Sequence, residues 1–172
     1  MYRKAVVAIV VWAAAGGVSF GQEFPQPGPE HERLKELVGE WDAVMEMAGQ
    51  KSKATAVYRS ICGGMWVESD FHGDLGGLKF QGRGLDGYDL RKKKYVGVWV
   101  DSIESAPMVF EGDYDPEKKL LVMTGTSVNP EGPQKFKTTT HMKDKDHFTF
   151  KMFMLQPNEE ELAFTIEYTR RN

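Results

Sequence analysis

The sequence predicts an all-β protein in which about ten antiparallel strands form an up-and-down meander that closes into a barrel, with one short N-terminal helix. Three observations predict this fold. From Glu40 onward apolar residues recur with a period of about two, recognisable turns separate ten strand-like segments, and no second helical stretch follows. Short links make sequence neighbours pair, and closure removes the two exposed edges of an open sheet. A two-sheet sandwich is the alternative arrangement.

The short helix precedes the strands. Pro29 suits the first turn of a helix from about Glu30 to Val38, and Gly39 would close that helix in the left-handed conformation. The predicted strands then follow at residues 40–48, 52–61, 65–72, 78–88, 94–102, 108–114, 120–128, 135–143, 147–155 and 161–170. A glycine-rich loop at residues 73–77 separates the third strand from the fourth.

The start of the chain has the layout of a secretory signal peptide. Arg3 and Lys4 precede an apolar run over residues 5–15, and small residues lead to Gly21. The run is shorter than the roughly 20 apolar residues of a membrane-spanning helix. We therefore expect export to the periplasm or the extracellular space, cleavage near Gly21, and no membrane span in the mature chain.

The predicted domain organisation has three parts. Residues 1–21 form the signal peptide, residues 22–29 form a leader with three prolines, and residues 30–172 form a single barrel domain. Removing the signal peptide takes away two basic residues and changes the net charge from −3 to −5. A mildly acidic domain is a poor match for nucleic acid, whose phosphates require a clustered positive face.

The single cysteine, Cys62, excludes an internal disulfide, so stability must come from packing. Cys62 lies at the end of the second predicted strand, directly before Gly63 and Gly64. We expect it to be a small buried apolar side chain.

Alternation within the strands predicts which residues share a face. The residues that share one face of their strand are Tyr95, Gly97, Trp99 and Asp101 in the fifth strand, Phe148, Phe150, Met152 and Met154 in the ninth, and Leu162, Phe164, Ile166 and Tyr168 in the tenth. If the first of these faces looks inward, the Asp101 carboxylate lies near the end of a cavity and needs a partner or a shifted pKa. Arg83 is one candidate partner, although that pairing requires a bulge. The alternative is that Asp101 caps the turn at Ser102.

The segment from Gly82 to Gly87 matches the glycine spacing of a dinucleotide-binding fingerprint. That motif needs a helix directly after the glycines, whose first amides face the pyrophosphate. Here Tyr88, Asp89 and a basic turn follow instead. We interpret the glycines as residues that let a strand bend or bulge and that leave space beside aromatic side chains of neighbouring strands.

Glu68, Asp70 and His72 alternate along the third strand and would project from one face, each about 6.6 Å from the next. Such a row could bind a metal only if a neighbouring strand supplied another ligand, and the sequence offers no partner cluster of His or Cys. We interpret the row as a solvated outer face, and we predict neither a metal site nor a cofactor. The sequence also contains no nucleophile with an evident base, so no catalytic residue is predicted.

Several segments resemble known families. Residues 37–41, a short helix that delivers Gly39 and Trp41 into the first strand, resemble the opening of lipocalin-like barrels, the calycins. Residues 82–89, 93–102 and 112–115 resemble the succession in the bacterial domain of unknown function 1579 family. The resemblance covers about residues 29–170. It implies a lipocalin-like barrel in an often exported bacterial protein, and it brings no established ligand, reaction or catalytic residue.

Some calycin barrels hold haem iron through one histidine. The corresponding candidate here is His141, but alternation places it beside Lys135, Lys137 and Lys143. That lysine-rich face should meet water, so we expect His141 outside the barrel.

The leading functional hypothesis is a binding module for a small apolar ligand. The residues predicted to line its site are Trp41, Phe80, Tyr95, Trp99, Asp101, Phe110, Phe148 and Phe150. The same aromatic side chains could instead fill the interior completely. The alternative function is therefore an envelope interaction or structural module with a filled barrel, and a haem-binding barrel or an enzyme comes third.

Overall fold

The computed structural model describes residues 24–129 and 132–171. The only α-helix of this part is α1, Pro29–Lys35. The strands are β1 Gly39–Met47, β2 Gln50–Ile61, β3 Trp66–Leu75, β4 Leu78–Asp89, β5 Lys94–Asp101, β6 Met108–Asp115, β7 Leu120–Asn129, β8 Gly132–Asp144, β9 His147–Leu155 and β10 Glu160–Arg170. The predicted signal peptide at residues 1–21 lies outside the described residues. Leader residues 24–28 have no regular secondary structure.

The ten strands form a closed antiparallel barrel in which each strand pairs with its neighbours in sequence. The barrel closes between its first and last strands, where the β1–β10 register runs from Trp41 opposite Arg170 to Glu46 opposite Thr165. The sequence prediction of an up-and-down barrel is thereby confirmed, and the sandwich alternative is excluded.

The helix lies at one end of the barrel, which we call the closed end. α1 contacts the start of β3 and the end of β4. Arg170, at the end of β10, fastens the segment that links α1 to β1: its Nη1 donates to the Val38 carbonyl at 2.7 Å, and its Nη2 donates to the Glu36 carbonyl at 2.9 Å. The guanidinium also lies 4.1 Å above the ring of Trp41, which is fully buried. The opposite end, where the β1–β2, β3–β4 and β5–β6 connections lie, is the open end.

The helix ends three residues earlier than predicted. Its last residue is Lys35, and a tighter turn follows in which the Val38 N–H donates to the Lys35 carbonyl at 3.0 Å. Gly39 has a φ of 141° and begins β1 instead of capping the helix. A Cβ at Gly39 would overlap the guanidinium of Arg170, so the close approach of these two residues requires glycine.

Two further predictions of local structure were wrong. β3 continues to Leu75, so the predicted five-residue loop is reduced to a turn at Gly76 and Gly77, whose φ values are 67° and 97°. Cys62 is exposed instead of buried, because β2 ends at Ile61 and the chain then turns through a 3₁₀ segment at the rim of the barrel.

β10 contains a register shift that the alternation did not predict. The pairing with β9 changes between Leu162 and Phe164, so Leu162 lies opposite Phe153 instead of following the inward phase of Phe164, Ile166 and Tyr168. Leu162 is accordingly 50% exposed. The extra residue of a bulge moves every position before it to the other face of the sheet.

Among the described residues, no helix combines the length and the apolar character that crossing a membrane requires.

Candidate functional site

The closed half of the barrel is filled by aromatic side chains. The rings of Phe148 and Tyr168 stack with their centroids 4.1 Å apart, and Trp41 meets Phe148 edge to face at 4.7 Å. The Trp41 indole N–H donates to the Leu37 carbonyl at 2.8 Å, so the one polar atom of this ring is satisfied inside the core. This packing leaves no room for a ligand at that level.

The remaining interior is a cavity of about 320 Å³ that extends toward the open end. Aromatic and methionine side chains make up most of its wall, and these are Phe71, Phe80, Trp99, Phe110, Phe150, Phe164, Met45, Met108, Met123 and Met152. At its mouth lie Met47, Leu75, Ile103 and Glu104. An enclosed apolar wall with a few polar groups is typical of small-molecule sites.

The structure divides the eight predicted site residues between these two regions. Five of them line the cavity: Phe80, Trp99, Asp101, Phe110 and Phe150. The other three, Trp41, Tyr95 and Phe148, are buried outside the cavity wall. Tyr95 packs against Tyr88, with ring centroids 5.1 Å apart, near α1.

Glycines of β4 create the space that Trp99 occupies. A Cβ at Gly82 would lie 2.9 Å from Cε2 of Trp99 and still closer to other atoms of that indole, and a Cβ at Gly84 would lie 3.3 Å from its Cε3. Gly84 and Trp99 are direct partners across β4 and β5. The interpretation that these glycines make room for a neighbouring aromatic ring is confirmed, whereas no bulge interrupts the β4 pairing.

The same glycines do not form a dinucleotide site. All of the motif from Gly82 to Gly87 lies within β4, and β5 follows after a turn at residues 90–93. No helix begins where the pyrophosphate would need one.

Asp101 fixes the wall at the mouth of the cavity. Its Oδ2 accepts a hydrogen bond from Nε1 of Trp99 at 2.9 Å. Its Oδ1 accepts the backbone N–H groups of Ile103 and Glu104, each at 2.9 Å. Asp101 therefore caps the turn after β5, as the alternative interpretation held, and it also orients the Trp99 ring.

The suggested pairing of Asp101 with Arg83 was wrong. Arg83 lies opposite Asp70 in the β3–β4 register, on the outer face of the barrel. Its Nη1 donates to Glu68 at 3.0 Å and its Nη2 to Asp70 at 3.4 Å, while Nε2 of His72 lies 3.0 Å from the other Asp70 oxygen. Arg83 thus ties Glu68 to Asp70 by ion pairs on an outer face, and His72 lies next to Asp70. Within the described residues, no group of three or more His, Cys, Asp or Glu side chains could hold a metal ion.

The four histidines all lie within the described ranges, and none of them lines the cavity. His141 pairs with Leu120 and Thr149, and its phase is opposite to that of the inward Phe136 and Thr138. His31 is buried in α1, where its Nδ1 accepts the Gly28 N–H at 3.0 Å. An axial haem ligand in the cavity would therefore have to be a different residue type.

The inner end of the cavity is polar. Tyr58 of β2, Ser69 of β3, Asp86 of β4, Thr138 of β8 and Tyr168 of β10 all contribute to its wall. The Asp86 side chain leans over Gly97, where a Cβ would lie 2.6 Å from Oδ1. No side-chain hydrogen bond of Asp86 is formed within the described part of the chain. Asp86 is partly buried and contributes to the cavity wall.

Burial determines the protonation of these groups. Loss of hydration raises the pKa of Asp86 to about 7, because no donor nearby stabilises the charged form. The pKa of Tyr58 is raised well above its ordinary value, first by burial and then by Tyr168 and Asp86. Burial also raises the pKa of Tyr168. At neutral pH both tyrosines of the inner end are therefore neutral, and the Asp86 carboxyl group is partly ionised.

The polar inner end was not predicted from the sequence, although one signal was available. Asp86 follows Phe80, Gly82 and Gly84 at intervals of two in β4, and those residues share the inward face. The same alternation that predicted the Trp99 face therefore predicts Asp86 inside.

Comparison with known proteins identifies the family. Residues 26–170 match the family described as "Protein of unknown function (DUF1579)". The chain belongs to this family. The match spans the entire barrel of this DUF1579 protein and confirms the resemblance seen in the sequence. No curated protein matches the chain.

Solved structures show that other proteins share the DUF1579 fold. The crystal structure of Rv2717c from M. tuberculosis is 11% identical, with a TM-score of 0.60, over 84% of this chain and 99% of that chain. The S-type phycobiliprotein lyase CPES from Guillardia theta is also 11% identical, with a TM-score of 0.52, over 83% of this chain and 93% of that chain. At this level of identity the similarity concerns the fold alone.

Proposed function

We propose that this DUF1579 barrel binds a small, mainly apolar molecule in its interior cavity. The observation that carries the proposal is the space of about 320 Å³ inside the barrel, which opens at one end and is lined mainly by aromatic and methionine side chains. Small-molecule sites usually have volumes of about 300–1,000 Å³, so the ligand should be small. The methionines suit such a site, because their flexible side chains adapt to the shape of what they contact.

The proposal is tested by calorimetric titration with straight-chain alcohols such as hexanol and decanol. Binding should be accompanied by a negative heat-capacity change, which marks the burial of apolar surface. A blocking variant is Thr138→Phe, since Thr138 is buried in the wall of the cavity. Its matched control is Thr139→Phe, because Thr139 is the next residue of β8 and has the opposite phase.

We expect Thr138→Phe to weaken binding at least tenfold and Thr139→Phe to leave the affinity within twofold of the wild type. Circular dichroism establishes that both variants keep the β fold. Absence of binding to every alcohol by the wild-type protein would refute the proposal. An equal loss of affinity in both variants would place the binding site elsewhere.

A second candidate function is self-association through the outer surface. Leu85, Val98 and Val109 are partners across β4, β5 and β6, and they form an exposed aliphatic stripe with exposures of 41%, 37% and 55%. Exposed apolar patches often mark interaction sites. Sedimentation of the wild type and of Val109→Lys tests this candidate. Self-association predicts that the wild-type protein is a dimer and that the lysine charge in Val109→Lys abolishes the dimer. A monomeric wild-type protein would refute self-association.

We also propose that the protein is exported and that the DUF1579 domain acts outside the cytoplasm. Arg3, Lys4 and the apolar run at residues 5–15 support this, and the family match begins at residue 26, after the predicted signal peptide. Fractionation of cells that express the full chain, with N-terminal sequencing of the product, tests it. We expect a chain that begins at Gln22, whereas an intact Met1 in the cytoplasmic fraction would refute export.

A further inference from the structure

The cavity wall is mostly apolar toward the open end and polar at its inner end. Toward the open end lie Met47, Leu75, Ile103 and Met108, with the carboxylates of Asp101 and Glu104 at the mouth. Asp86 and Tyr58 lie toward the closed end, near the ends of β4 and β2. A molecule that enters from the open end would therefore pass Asp101 and Glu104 at the mouth and then apolar side chains before it reaches Asp86.

The carboxyl group of Asp86 has unused hydrogen-bonding capacity. It contributes to the cavity wall together with Ser69 and Thr138, which are buried. Burial raises the pKa of Asp86, and within the described residues no hydrogen bond or neighbouring charge offsets that effect. A donor inside the cavity would supply the partner that this carboxyl group lacks.

The charge of the wall determines which kind of group fits. Among the residues that the structure describes, no Lys, Arg or His side chain lines the cavity. The ionisable acid at the inner end is Asp86, and the carboxylates at the mouth are Asp101 and Glu104. A negatively charged head group would meet like charge in a poorly hydrated space, whereas a positively charged donor would supply the counter-charge that Asp86 lacks.

We propose that the cavity selects apolar molecules that carry one protonated amine, with the amine donating hydrogen bonds to Asp86 and the apolar body lying along the aromatic wall. This inference rests on the proposed binding function and specifies its ligand class. A charge-assisted hydrogen bond of this kind is about twice as strong as one between neutral groups. It therefore provides selectivity over alcohols and acids with the same apolar body.

The proposal requires ionised Asp86, so it makes amine binding depend on pH. The titratable groups that line the cavity with Asp86 are Tyr58 from β2 and Tyr168 from β10, with Asp101 and Glu104 at the mouth. Tyr88, Tyr95 and Arg33 belong to the closed end. Since burial raises the pKa of Asp86 to about 7, its ionised fraction increases about tenfold between pH 6 and pH 8. An alkylamine, like lysine, stays protonated over this range.

The experiment compares decylamine, decanol and decanoic acid in calorimetric titrations of the full protein at pH 6 and pH 8. At pH 8 decylamine should bind at least tenfold more tightly than decanoic acid. Its affinity should increase about tenfold from pH 6 to pH 8, whereas the affinity for decanol should stay within twofold. The isosteric Asp86→Asn should weaken decylamine binding at least tenfold and remove its pH dependence.

The outcomes separate the two proposals. If decanol binds but decylamine shows neither an advantage over decanoic acid nor a pH dependence, the amine inference is refuted and the binding function stands. If none of the three binds, both are refuted. The pH comparison uses the wild-type protein alone, so the test remains decisive even if Asp86→Asn fails to fold.

Discussion

Replacing Asp86 with Asn should change how the stability of the protein depends on pH. Burial raises the pKa of Asp86 from 3.8 to about 7. Between these two values the folded protein keeps a proton that the unfolded chain has lost, so stability falls as the pH rises. A shift of about three units corresponds to about 4 kcal/mol once the group is fully ionised. Between pH 5.0 and pH 7.5 the loss should be about 2–3 kcal/mol.

Urea denaturation at pH 5.0, 6.0 and 7.5 measures this effect. The Asn side chain does not ionise, so the difference in unfolding free energy between Asp86→Asn and the wild type should shift in favour of the variant by about 2–3 kcal/mol across this range. Glu117→Gln is the matched control, because Glu117 is exposed in the turn after β6. The control should follow the wild type at every pH. Parallel pH curves for Asp86→Asn and the wild type would refute the assignment of Asp86 to a buried, poorly hydrated position.

Three further predictions concern the packing around the cavity. Gly82→Ala should lower the unfolding free energy measured in urea by about 1–3 kcal/mol, because the added Cβ would overlap the indole of Trp99. The same loss of unfolding free energy in a Trp99→Leu background would contradict this cause. Asp101→Ala should lower the unfolding free energy by about 1–2 kcal/mol, because one indole N–H and two backbone N–H groups lose their acceptor. Asp101→Asn keeps an acceptor oxygen and should lower it less. If thermal denaturation shows equal losses for the two variants, these hydrogen bonds are not the cause. Arg170→Lys should lower the unfolding free energy by about 1–3 kcal/mol. An ammonium group cannot donate to the Glu36 and Val38 carbonyls at once and also lie over the Trp41 ring, as the guanidinium does. An unchanged urea midpoint would contradict this prediction.

The strand pattern was predictable because it depends on a local rule. Each strand has one face toward the interior and one toward water, so the two-residue alternation indicates both the strand and its inward side. The rule failed where the backbone departs from regular pairing. The bulge before Phe164 moves Leu162 outward, and the turn after Ile61 exposes Cys62.

The site was less predictable, because a cavity depends on how side chains from distant strands fill a common space. Trp41 and Trp99 have similar patterns in sequence, yet Trp41 packs solidly against Phe148 while Trp99 borders the cavity. Only the closed barrel shows which ring has neighbours on all sides. The alternation along β4 indicates that Asp86 points inward. That no donor among the described residues pairs with it depends on side chains from other strands, which the alternation does not show.

Methionine methyl NMR provides the most direct test of the central claim that the barrel interior is an accessible binding cavity. Met45, Met123 and Met152 belong to the cavity wall, whereas Met65 follows the 3₁₀ turn at the closed end. Titration of protein labelled at its methionine methyl groups with decanol should shift the signals of the three wall residues and leave that of Met65 in place. Unmoved wall signals at saturating decanol would contradict the account.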